Sequence, residues 1–463
     1  MGFARTFDLS RLMERYGCRV FFETGTGTGT GLAFAAEQSF DKLFSVEIHE
    51  GLAQAAKEKF APDGRVSIYQ GTSDAALNDI LPTLPADQPM LFWLDAHFPG
   101  ADFSLAKYGD EKEEVVRLPL ERELRLILQH RPDSGDVILI DDLRIYEDGP
   151  FQHGNMPAHA QTLPPERRHT RFVADVVGAT HTIGKFYLHE GYLVLLPRGH
   201  GSPGPLLTEE PALVPPPPDG PAYRRLGHLS GPRAAELGRD ESPVQMVDLL
   251  KKPPQRVLDI GCATGLRGAL VKQRFPNARV IGLEPTLAAA ERAVSRLDLV
   301  AAAPIERFDF GAAGVARGSL DAIFLGDMLE LSYNPWALLQ FLRTLLAPGG
   351  QLIARVQNLR NLRVLEALAK GAWSYAAAGP LNVNHVRFYT RREVLRLFQE
   401  SGYRVTQSVG TVDPQLTNFL ESSSGSDPAD IDIPGVLTLR QVSQQDRVEF
   451  VMAHLLVTAE SAG

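Results

Sequence analysis

Two stretches of the chain place an acid and alternating glycines directly behind an apolar run. The first is RVFF followed by ETGTGTGTG, Glu23 to Gly31, leading into LAFAAEQ. The second is RVLDIGCATG, Arg256 to Gly265, with Asp259 in the place of Glu23. Glycines let the backbone turn tightly and approach a ligand closely. A helix that follows offers unpaired N–H groups at its start. An apolar strand, an acid, glycines and a helix together make a nucleotide-type cofactor site. A dinucleotide site needs G-x-G-x-x-G. From Gly25, Gly27 or Gly29 the sixth position is Thr30, Leu32 or Phe34, so no frame fits. The frame present is acid-x-G-x-G-x-G, on Glu23, Gly25, Gly27 and Gly29, and again on Asp259, Gly261, Ala263 and Gly265.

Further acids stand at expected strand ends. Glu47 in FSVEIHE and Glu284 in VIGLEP end the second strand of each half, where a carboxylate can accept both hydroxyls of a ribose. The plain alternative is a solvated charge. Asp95 in FWLDAH, and Asp141 with Asp142 in VILIDDL, end neighbouring strands and should meet on one rim. Three clustered carboxylates repel unless a cation joins them. An all-oxygen ligand set with room for water suits Mg²⁺. In the alternative, these acids cap strands or bind the cofactor and no metal is used. His97, two residues after Asp95, is a candidate proton acceptor.

The two halves keep one register. Glu23 to Glu47 spans 24 residues and Asp259 to Glu284 spans 25. Glu23 to Asp95 spans 72, and Asp259 to Asp327 spans 68. The acid-and-glycine frame resembles motif I of class I S-adenosylmethionine (SAM) dependent methyltransferases. That resemblance implies SAM as cofactor, with one site in each half. It also implies two Rossmann-like α/β domains, each a mostly parallel seven-stranded sheet with helices on both faces. GTSDAAL, containing Ser73, resembles the adenine-binding turn of the catechol O-methyltransferase family. The matching turn, APIERF, has Pro304 where an acid is frequent, which leaves Ile305 to contribute backbone contacts. The first half is similar to the metal-dependent catechol- and macrocin-type enzymes, which implies Mg²⁺ on Asp95, Asp141 and Asp142. Those enzymes carry a lysine shortly after the first acid, and this chain has His97.

The second half contains LGDMLELSYNPWALLQFLRTLLAPGG and WSYAAAGPLNVNHVRFYTRREVLRLFQESGY. It resembles metal-independent methyltransferase domains of bacterial glycan and natural-product clusters. It departs from them at Leu331, where histidine is usual, and at Asn382, where aspartate is usual. His385 is the candidate base there, with pinning of a lid as the alternative. Trp373 and Tyr375 are expected in the core of that lid, with stacking on a ligand as the alternative. The implied activity is methylation of a hydroxyl on a sugar, glycan or small molecule, as in polysaccharide biosynthesis. The alternative is that one half holds SAM without catalysis, as a regulatory or partner-binding module.

The elements that position these residues follow from the alternation of strand and helix signals. Strands are expected at Arg19–Glu23, Leu43–Glu47, Val66–Gln70, Met90–Asp95 and Val137–Asp141, and again from Arg256 onward, with Arg447–Thr458 closing the second sheet. At 463 residues, two or three domains are expected. The division expected is 1–198, a proline-rich linker at 199–222 containing Pro215–Pro218, and 223–463 with an acceptor lid at 358–390. Residues 412–435 read as a mobile loop. A formal charge of −9 argues against binding a nucleic-acid backbone. Cys18 and Cys262 fall in separate halves, which argues against a disulfide and for a reducing, cytoplasmic setting. No run approaches the ~18 apolar residues of a membrane span. Homo-oligomerisation is compatible with all of this.

Overall fold

The computed structural model describes residues 4–101, 105–158, 160–201, 204–208, 242–376, 379–417, 419, 427–433 and 435–462. Most of the proline-rich linker, including Pro215–Pro218, lies outside them. The chain groups into two compact units. One is Met1–Ala212 with Leu283–Val315, and the other is Leu213–Gly282 with Ala316–Gly463.

The first unit is an α/β layer structure. Its strands are β1 (Val20–Thr24), β2 (Lys42–Glu47), β3 (Val66–Gln70), β4 (Met90–Leu94), β5 (Val137–Ile140), β6 (His181–Phe186) and β7 (Tyr192–Pro197). Every residue of β1, β4, β5, β6 and β7 is buried. A sheet covered on both faces demands this, and it explains why these strands read as continuous apolar runs. The strand order is β3-β2-β1-β4-β5-β7-β6. β1 pairs in parallel with β2 and β4, and β5 continues the parallel run beside β4. β7 is antiparallel to both β5 and β6. The carboxyl ends of β1, β2, β4 and β5 therefore share one rim.

The second unit has β8 (Arg256–Ile260), β9 (Arg279–Leu283), β11 (Leu320–Gly326), β12 (Leu346–Gln357), β13 (Tyr403–Val412) and β16 (Met452–Ser461), with β9 ending at the unit's boundary. β10 (Leu299–Ala301) comes between β9 and β11 in the chain. The strand order β9-β8-β11-β12-β16-β13 repeats β2-β1-β4-β5-β7-β6. Here too the last two strands run antiparallel.

Three expectations are corrected. The sequence also predicts a weak strand near Leu299–Ala303 in the second half's sheet; that strand, β10, instead lies in parallel along β6 and groups with the first unit. β7 occupies only one side of β6, so the other edge accepts β10, and the units depart from seven strands each. Arg447–Thr458 is not one strand: a helix, Gln444–Phe450, precedes β16. Ser443 starts that helix by accepting the Asp446 N–H at 3.1 Å. Finally, 412–435 contains β14 (Ala429–Ile433), which forms an antiparallel ribbon with β15 (Leu437–Val442). Ile431, Ile433 and Val442 of this ribbon pack with Leu362 and Phe450.

Candidate functional site

The first unit gathers its expected residues around the carboxyl ends of β1, β2, β4 and β5. After β1 the chain runs through Gly25, Gly27 and Gly29 at φ of 83°, 50° and 70°. A side chain at Gly25 would strike the Asp95 carbonyl at 2.5 Å, so this glycine lets the β1 turn lie against the end of β4. The Gly25 and Thr26 N–H groups both donate to the Val46 carbonyl at 3.0 Å. The Glu47 carboxylate accepts the Gly27 N–H at 2.8 Å and the His49 N–H at 2.9 Å. Glu23 is buried beneath this turn, where its Oε2 accepts the Ser45 hydroxyl at 2.5 Å. Burial pushes the Glu23 carboxyl up to about 8, against the pull of that hydrogen bond.

A cleft with about 820 Å³ of empty space, part of it open to solvent, lies over this rim. Gly25, Gly27, Glu47, Ser73, Asp95 and His97 line it, and Asp141 and Asp142 close one side. A turn of glycines at positive φ and a strand-end carboxylate beside open space fit a nucleoside-bearing cofactor.

The acids at the end of the cleft are held by protein donors. The His97 ring lies between them, with Nε2 2.6 Å from Asp142 Oδ2 and Nδ1 3.4 Å from Asp95 Oδ1. Asp141 Oδ1 accepts the Asp142 N–H at 2.8 Å. Asp142, at φ 55°, also has Arg144 Nε at 3.9 Å. Burial opposes the charge on Asp142, but His97 and Arg144 outweigh it and hold the carboxyl below the usual range. Asp141 is pushed well up, first by burial and then by Asp95 and Asp142. The acids meet as expected, but they do not fit a metal site in this arrangement, because an imidazole stands where the shared cation would. Among the described residues no group of three or more His, Cys, Asp or Glu side chains is arranged to hold a metal.

Two participants escaped the sequence reading. Glu123 is 1% exposed, and its Oε1 has no hydrogen-bond partner. Burial pushes it up to about 7, against the Ser73 and Thr24 hydroxyls that hydrogen-bond to it. The signal was present: in the helix Leu120–His130, Glu123 shares the buried stripe of Leu120, Leu124 and Ile127. Glu190 was the other, joined to Arg144 at 2.6 Å. It lies within an ordinary-looking turn between β6 and β7, and no spacing marks it.

The second unit repeats the turn. Gly261, Ala263 and Gly265 sit at φ of 64°, 48° and 78°, so the alanine takes the left-handed conformation that Gly27 has in the first unit. Asp259 is fully buried and bound by Arg267, with Nε at 2.9 Å and a second guanidinium nitrogen on the same oxygen. Asp327 accepts a two-pronged contact from Arg355, Nε to Oδ1 at 2.8 Å and a terminal nitrogen to Oδ2 at 2.5 Å, together with Gln357 Nε2 at 3.2 Å. Glu330 is buried; its Oε1 takes the Gln357 N–H at 2.6 Å and its carbonyl takes the Val386 N–H at 2.8 Å. His385 is buried with Nδ1 3.2 Å from the Pro380 carbonyl, and burial lowers its pKa. Trp373 and Tyr375 are 38% and 43% exposed, so they are not the lid core expected. Their segment, Ala372–Tyr375, has no regular structure to turn them inward. Glu284 and Ile305 lie in the segment grouped with the first unit. Glu284 accepts the Thr286 N–H at 2.8 Å, the contact Glu47 makes with the residue two positions on.

Residues 239–408 match the family model described as a methyltransferase domain. Trans-aconitate 2-methyltransferase of Methylobacterium radiotolerans is 35% identical over 27% of this chain and 49% of its own. Its counterpart in Deinococcus radiodurans is 33% identical over 23% of this chain and 39% of its own. The chain thus spans about half or less of these relatives' length. Malonyl-[acyl-carrier protein] O-methyltransferase of Hahella chejuensis is 29% identical over 33% of this chain and 51% of its own. Among solved structures, a SAM-dependent methyltransferase from Archaeoglobus fulgidus matches at 15% identity and a TM-score of 0.31, over 45% of this chain and 86% of that one.

Proposed function

We propose that this chain is a SAM-dependent methyltransferase whose first unit binds SAM in the cleft over β1, β2 and β4. The observation that supports the reading is this cleft, lined by Gly25 and Gly27 of the acid-and-glycine frame together with Glu47 and Asp95. Bound SAM would supply a methyl group on a positively charged sulfur. Gly25 and Gly27 would let the backbone approach it closely. Glu47, already oriented by two backbone N–H groups, would receive the ribose hydroxyls on its remaining lone pairs. Asp142 holds the His97 ring through Nε2, and the ring's Nδ1 edge faces Asp95. An acceptor hydroxyl entering beside Asp95 would give its proton to His97 Nδ1 when that nitrogen is unprotonated, and the doubly protonated ring that results is the form that donates to both carboxylates. No step is assigned to a metal.

We propose a second SAM site on Asp259, Gly261, Gly265 and Asp327, with His385 as its base. The repeated φ values of the two turns support it, as does the methyltransferase match over 239–408. A different reading of the second unit rests on its arginines: Arg267 and Arg355 already satisfy Asp259 and Asp327, which favours a binding or regulatory module over a second catalyst.

The favoured acceptor is a hydroxyl of a sugar, glycan or small molecule. The relatives named for trans-aconitate and malonyl-carrier substrates add carboxylates to the trial set. Transfer of labelled methyl from SAM should be measured across sugars, glycan fragments and organic acids. One class should accept label, and His97→Ala should slow that transfer by roughly 10²–10⁴ if His97 is the base. Undiminished transfer in His97→Ala would remove His97 from the chemistry.

A further inference from the structure

The acids of the first cleft are the residues from which a divalent-cation site would be built, yet each already has a protein partner. His97 contacts Asp95 and Asp142 through its two ring nitrogens. Asp141 is turned onto the Asp142 N–H. Arg144 approaches Asp142 and is itself joined to Glu190. A divalent cation bridging Asp95 and Asp142 would need the volume the imidazole occupies, and it would need Asp141 turned from the backbone toward itself. Oxygen-seeking cations want several carboxylate, carbonyl or water oxygens at short range. A ring whose nitrogens both face the carboxylates takes that position away.

We propose that His97 replaces a divalent cation in this cleft, joining Asp95 to Asp142 as a metal would, and that its side chain is what keeps cations out. The inference rests on the reading of this cleft as the cofactor site, but it concerns the acids alone. Removing the ring leaves Asp95, Asp141 and Asp142 clustered and unbridged, and such a cluster gains from binding a cation.

The test is a titration of the full chain with Mn²⁺, following bound ion by electron paramagnetic resonance, with SAM binding measured calorimetrically on the same samples. Wild type should hold no Mn²⁺ at these acids. His97→Ala should gain one bound Mn²⁺ with affinity at least about tenfold above wild type, and the His97→Ala/Asp142→Asn double variant should lose it again. His97→Ser is the second variant should alanine fail to fold, and the wild-type titration stands without either. One Mn²⁺ on wild type that Asp142→Asn removes would overturn the proposal, and so would no gain in a folded His97 variant. Absence of SAM binding, with the Mn²⁺ pattern as expected, would instead sink the cofactor reading and leave this inference standing.

Discussion

Glu23 shows how much one buried side chain can carry. The sequence marks it as the acid that opens a glycine turn, and the structure places it beneath that turn with Ser45 as its partner. Burial is the larger influence and raises its folded pKa to about 8 from an ordinary 4.5. A carboxyl raised on folding stabilises the protein fully below its unfolded pKa, and that contribution is lost as pH rises through the folded value. In the absence of SAM, wild-type stability should therefore fall between pH about 5 and 8 from this group. Glu23→Gln should flatten that part of the profile, measured by denaturant unfolding across the range. An unchanged slope would mean that Glu23 is ionised in the folded protein. Gly25, Glu47 and Asp95 line one cleft, a placement legible from their positions at expected strand ends. Glu123 was not read because its role depends on which helix face is buried. Arg267 and Arg355 were not read because an ion pair needs the partner's location as well as its type.

Elements were legible wherever burial on both faces makes a strand continuously apolar. Val66–Gln70 lies where the sequence places it, and β1, β4 and β5 fall within a residue of their expected ends. Failures came where local capping or pairing overrides hydrophobicity. RVEFVMAHLLVT reads as one strand, but Ser443 caps a helix whose last turn uses its first residues. Ser443→Ala should lower unfolding free energy by about 1 kcal/mol, the usual size of a lost N-cap. A loss within error in chemical denaturation would show that packing of Phe450, not the cap, fixes this helix. The ribbon β14–β15 was missed because ADIDI is short and two of its five residues are aspartates. It becomes a strand by pairing with β15 and packing Ile431 and Ile433 inward.

At the scale of the whole molecule, spacing carried the main message. Two acids, two turns and two strand-end carboxylates keep nearly one register, and the strand orders β2-β1-β4-β5-β7-β6 and β9-β8-β11-β12-β16-β13 follow it. The grouping of β10 with the first unit was not legible, because strand signals do not say which free edge a strand will join. Among the described residues no helix is long and apolar enough to cross a membrane. The repetition leads to the central claim, that the first cleft is a SAM site and the second turn marks another. Calorimetric titration of the intact chain with SAM, beside Glu47→Ala, tests it most directly. Wild type should bind two equivalents, and Glu47→Ala should weaken one of them by about 1–3 kcal/mol, the worth of lost charge-assisted hydrogen bonds, and leave the other unchanged. A single equivalent in wild type, bound equally well by Glu47→Ala, would contradict the account.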